Sequence, residues 1–204
     1  MSILMALVDY IPVVMFLFSA IILQRGLYNK MSKGAFALFS AGTIMVFCAG
    51  FFKATWKLLF AAGVCDFEKL NLCFMPMQAT GFFLVAAALI AMMCFKQGNT
   101  VMGVAAAPAV FTGTMVFIPM MCLGIGVLCT VLAVIAAKLK KKGLIIVFAL
   151  AFIGMLGMGY LSSKDFADPA MNWLAEGTNV FGQGLLLWGS LCLKKAGLTE
   201  FTLK

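Results

Sequence analysis

The chain contains no histidine. That removes the side chain most often used as a general base near neutral pH, and with it the commonest metal ligand. Charge is scarce too. Only 11% of the residues are Asp, Glu, Lys or Arg, where an ordinary globular domain has about a quarter. Seven cysteines are present, an odd number, and no CxxC pair occurs. A structural zinc site therefore has no ligand set, and no disulfide framework is spelled out. Most of these cysteines fall inside apolar runs, where the residue serves as a small hydrophobe; Cys65 and Cys73 are the pair near a loop. No basic run is interleaved with aromatics, which excludes a nucleic-acid surface. The opening MSILMALVDY lacks a basic leader and a small-residue cleavage site, so the first apolar segment reads as a retained span. With no paired acids, no nucleophile beside a base and no metal set, the chain is not expected to be an enzyme or to need a cofactor or metal.

What is present is apolar sequence. Hydrophobic residues make up 64% of the 204, and the mean hydropathy is +1.11. A helix crosses a bilayer in about 20 apolar residues. Runs of that kind extend from Asp9 to Leu23, from Gly34 to Phe52, where Lys53, Trp56 and Lys57 mark an aromatic and cationic interface, and from Leu72 to Phe95, then from Gly143 to Leu161 and from Pro169 to Lys195. Between Thr100 and Ala137 there is no charge at all. A single helix of that length would measure about 57 Å, nearly twice the hydrocarbon core. Two spans with a turn near Thr112 to Pro119 fit better, with Pro108 kinking the first and Pro119 in the first turn of the second, where a missing N–H costs least. The expected fold class is thus an all-α integral membrane protein with seven transmembrane helices. Charge placement agrees with the odd count. Eleven of the fifteen basic residues, from Arg25, Lys30 and Lys33 to the run Lys138–Lys142 and Lys194, Lys195 and Lys204, fall on one side of the alternating loops. The positive-inside rule makes that side cytoplasmic. The N-terminus is expected outside and the C-terminus in the cytoplasm, in the cell membrane.

The two halves echo each other. YIPVVM at Tyr10–Met15 resembles FIPMMC at Phe117–Cys122. Each is followed by a basic linker ending in Lys-Gly (Lys33-Gly34, Lys142-Gly143), a span, a break holding Asp-Phe (Asp66-Phe67, Asp165-Phe166) and a further span. In those last spans Gln78 aligns with Asn179, and Gly81 with Gly182. The reading is one membrane domain with a parallel repeat, a three-helix unit over 1–97, a connector helix over 98–116 and a second three-helix unit over 117–204. Parallel copies place a solute site between them near the midplane.

This layout, with Pro12 and Pro119 in the first helices of the copies and an amide-x-x-Gly pattern in the third, resembles the SWEET and PQ-loop transporter superfamily. Pro12 and Pro119 are followed by Val and Met, not by the Gln of that family's signature. The resemblance implies that the third-helix amides, Gln78 and Asn179, contact the solute.

The stretch EGTNVFGQGLLLWGS, Glu176 to Ser190, is the most polar part of the last span. Polar groups are costly in hydrocarbon unless they face the bundle interior, a partner or water. Asn179 and Gln183 stand at i and i+4, on one helix face. They either line a solute pocket or tie helices together, as amides and glycines do in bilayers. Trp188 is a candidate to stack on a solute or an interfacial anchor. Glu176 is a candidate coupling carboxylate, or an interfacial acid reaching headgroups or pairing with Lys53 or Lys57. The candidate substrate-binding residues are Gln78, Asn179, Gln183 and Trp188. No lysine lies between Pro169 and Leu193, so a retinal Schiff base has no place there. The expected function is transport of a small solute, with a ligand-sensing seven-helix receptor as the alternative. The expected partners are the lipid bilayer and that solute, and self-association stays open.

Overall fold

A computed structural model describes residues 2–94, 114–161 and 169–201. Within them every regular element is helical: α1 (Ile3–Val8) and α2 (Tyr10–Leu27) meeting at Asp9, then α3 (Lys33–Ala61), the short α4 (Lys69–Leu72), α5 (Phe74–Cys94), α6 (Thr114–Lys138), α7 (Gly143–Leu161) and α8 (Pro169–Lys195). Among the described residues, four stretches are long and apolar enough to cross a membrane: Ile3–Lys30, Lys33–Ala61, Lys69–Cys94 and Val116–Lys138. Helix α7 is apolar over Gly143–Met158. In α8 an inward polar stripe lowers the hydropathy of an otherwise long helix. The connector expected over 98–116 falls mostly on 95–113, outside the described residues, as does the Asp-Phe break at 165–166.

The helix ends follow local chemistry. The side chain of Ser2 accepts the Met5 N–H and starts α1 six residues ahead of the expected span, so that Asp9 lies inside the helical stretch instead of at its mouth. Similarly, the side chain of Ser32 accepts from Ala35 and starts α3. That helix runs on to Ala61, past Lys53 and Lys57, which the sequence alone marks as the interface. Helices α3, α6 and α8 end in one way. A residue with positive φ follows (Gly63, Lys140, Gly197), and the next N–H reaches back to Leu59, Ala136 or Leu193. This left-handed cap satisfies carbonyls that the helix end leaves open. Pro119 sits inside α6, just beyond the first turn. The bounds of α7 and α8 agree with the sequence, opening at Gly143 and Pro169.

The six long helices pack in a closed order: α2 on α3, α3 on α5, α5 on α6, α6 on α7, α7 on α8, and α8 back on α2. Between helices in lipid, close van der Waals contact replaces the hydrophobic drive, so small residues mark the crossings. A Cβ on Gly42 of α3 would stand 2.6 Å from the Gly81 carbonyl oxygen of α5. One on Gly154 of α7 would stand 3.0 Å from Gly182 Cα of α8. These two crossings hold α3 to α5 and α7 to α8. Near the end where α2, α5 and α8 finish, the ring is filled by Leu89, Leu132, Ile135, Phe148, Leu186 and Leu193, all sealed from solvent. Near the other end it is not filled.

Candidate functional site

At the end where α2, α5, α6 and α8 begin, the ring encloses a cavity of about 740 Å³. Periodicity explains which side chains reach it. Val46, Phe47, Gly50 and Lys53 form one stripe of α3, while Gln78 and Phe82 lie one turn apart on α5. Phe117, Met121, Cys122 and Ile125 come from α6, Met155 from α7, and Pro12, Val13 and Phe16 from α2. Along α8, Asn172, Glu176, Asn179 and Gln183 fall at steps of four, three and four, so they share one face. Of these, Asn179 and Gln183 line the cavity. The wall is therefore aromatic and methionine-rich, with four amides (Asn71, Gln78, Asn179 and Gln183) and Lys53 set into it. This is the common character of a small-molecule site: mostly apolar, with a few placed polar groups.

Gln78, Asn179 and Gln183, three of the four expected solute-binding side chains, line this one cavity. Gln183 is 8% exposed, and among the described residues its Oε1 has no hydrogen-bond partner. Buried amide oxygens are rarely left so. Trp188 is elsewhere. It is 55% exposed and is not among the lining residues. Five residues past Gln183, it is turned off the inward stripe, which continues through Leu186 and Ser190, both sealed.

Glu176 is not an interfacial acid reaching headgroups. Its side chain is 4% exposed, and its Oε1 accepts from Lys57 Nζ at 2.8 Å. The same ammonium lies 2.5 Å from Asp9 Oδ2, and that side chain is 7% exposed. Three helical segments thus contribute to one buried ion cluster: the α1–α2 joint, α3 and α8. Lys57 was legible as a partner of Glu176. Asp9 was not, because a lone acid between two apolar runs looks like an interface residue until the fold brings α8 beside it. Lys53, one turn before Lys57, connects the two features. It lines the cavity, lies within electrostatic reach of Asp9, Lys57 and Glu176, and places its ammonium 4.2 Å from the centre of the Phe74 ring. Tyr10 adds a neutral tie on the same level, its hydroxyl 2.9 Å from Thr55 Oγ1.

Among the described residues no group of Cys, Asp and Glu could hold a metal ion, and all seven cysteines, Cys65 and Cys73 included, are free thiols. The chain matches no protein-family model, no curated protein and no solved structure.

Proposed function

We propose that this chain is a seven-span membrane transporter that takes a small solute into the cavity between two three-helix units. One observation carries the reading: amides from both units, Gln78 on α5 and Asn179 with Gln183 on α8, line a single apolar-walled cavity. Two further features support it. The packing order is the same in each unit, first helix on second and second on third, and each third helix packs on the first helix of the other unit. The crossings between second and third helices are glycine contacts in both units. That arrangement suits the parallel repeat and the SWEET and PQ-loop layout; the expected fourth span falls mostly outside the described residues. The cell membrane, with the N-terminus outside, remains the proposed location.

The solute class follows from the wall. Five phenylalanines and four methionines favour an apolar body, and four amides favour neutral hydrogen-bonding groups. The sealed far end, packed by Leu89, Leu132, Phe148 and Leu186, gives the alternative its footing. A sensor needs only the open cavity, whereas a transporter must also open the far end.

The test is a thermal-shift screen of small metabolites on the purified chain, since a ligand of the folded state raises its apparent stability. A compound that stabilises the wild type should fail to stabilise Gln78→Ala and Asn179→Ala, while the unliganded variants melt normally. Equal shifts in all three proteins would reject the cavity as the site. Uptake of that compound into proteoliposomes then separates the readings: accumulation supports transport, and binding without uptake supports a sensor.

A further inference from the structure

The cluster at Asp9, Lys57 and Glu176 has two carboxylates for one ammonium. Each carboxylate gives one oxygen to Lys57, at 2.5 Å for Asp9 Oδ2 and 2.8 Å for Glu176 Oε1. Each also keeps one oxygen back. Asp9 Oδ1 and Glu176 Oε2 are both buried, and among the described residues neither has a hydrogen-bond partner. Two spare carboxylate oxygens in one buried cluster call for a small, positively charged partner. A metal cation would need several more oxygens than these two and would sit against the Lys57 ammonium. A proton needs neither room nor further ligands.

We propose that Asp9 and Glu176 share one exchangeable proton beside Lys57, which makes the contact of α2 with α8 a proton-binding site. The step is a simple protonation. A proton from water adds to one of the spare oxygens, and no other bond forms or breaks. The resulting carboxyl O–H donates to the spare oxygen of the other carboxylate, so both oxygens are satisfied together. The three side chains then carry one positive and one negative charge. Without the proton they hold two like charges close together in a place screened from water, an arrangement proteins seldom tolerate. Among the described residues, the charged or titratable groups facing the pair are few. From α3 come Lys57 and, one turn away, Lys53; from α2 comes Tyr10, held by Thr55. On α8 the neighbour one turn before Glu176 is Asn172, which is uncharged. The remaining residues of α1 are apolar. Since Lys53 also lines the cavity, a charged solute there would be felt by the pair. That coupling rests on the transport reading, whereas the proton site itself does not.

Infrared difference spectroscopy between acidic and alkaline pH tests the site with no solute present. The full chain is measured in a detergent free of ester groups, so that carbonyl absorption from lipid does not interfere. The wild type should show the C=O stretch of a protonated carboxyl at neutral pH, shifting in D2O. Asp9→Asn and Glu176→Gln should each lose it, because the carboxylate that remains pairs one-to-one with Lys57. Asp66→Asn, at an exposed acid bonded to Trp56, should leave it in place. If an amide variant fails to fold, Glu176→Asp keeps a carboxyl and should move the band; a band that stays put counts against the site. Absence of the band in the wild type at neutral pH, or its persistence in both amide variants, overturns the proposal. Loss of solute transport with the band intact would instead count only against the transport reading.

Discussion

Two contacts close the ring between its halves, and they are made differently. Where α5 meets α6, the backbones nearly touch: a Cβ on Gly124 would stand 2.6 Å from Phe82 backbone carbon. Phe82 and Ile125 are buried beside it. Where α2 meets α8, a Cβ on Gly184 would meet only Met15 Sδ, at an ordinary 3.9 Å. There, at the cavity end, the seam carries buried charge, with Lys57 of α3 bridging Asp9 and Glu176, while at the far end a Cβ on Gly26 of α2 would run into Leu198, just past α8. Packing contacts are stiff and have one good arrangement, because close-packed interiors deform little. A charge cluster has two states, set by what neutralises it. The difference is therefore one of kind: backbone packing at α5–α6, buried charge at the cavity end of α2–α8.

The comparison can be broken at its strongest point first. Lys57→Met leaves two carboxylates without their cation and should destabilise the fold by about 3–5 kcal/mol, the usual cost of breaking a buried pair from one side. Thermal unfolding in detergent reads it, and an unchanged melting temperature would mean that charge does not hold the α2–α8 seam. Next comes Gly124→Ala. Its added methyl has no space against the Phe82 backbone, so about 1–3 kcal/mol of overpacking strain is expected. The smallest effect has the opposite sign. Gly184→Ala fits its space and improves helix propensity, so a gain of about 0.5–1 kcal/mol is expected. If Gly124→Ala and Gly184→Ala change stability alike, the two seams are not different in kind.

Which parts of this were legible in the sequence follows from how each signal arises. The bounds of α7 and α8 could be read because Gly143, Pro169 and Lys194-Lys195 punctuate apolar runs directly. The inward face of α8 could be read because Asn179 and Gln183 repeat at helical spacing in a costly environment. The end of α3 was misjudged for a physical reason. Lys53 and Lys57 look like an interfacial pair, and only Asp9 and Glu176, far away in sequence, make it possible to bury Lys57. The start of the first helix was hidden for a similar reason, since Asp9 reads as a boundary until its charge has a partner. Trp188 was plausible as a stacking residue by type, but its register carries it off the polar stripe. Periodicity along one helix was therefore informative, and pairing between helices was not.

The central claim is that water and solute reach the ring interior from the end where α2, α5 and α8 begin, and stop at the packed half. Cys122 and Cys129 test it directly. They lie two turns apart on the same face of α6, Cys122 in the cavity wall and Cys129 only 4% exposed in the packed half, about 10 Å further along the helix. The measurement is the rate at which a small charged thiol reagent labels each one in intact membranes, with the other six cysteines replaced. Fast labelling of Cys122 with Cys129 protected is the expected result; equal rates at the two positions would contradict the account.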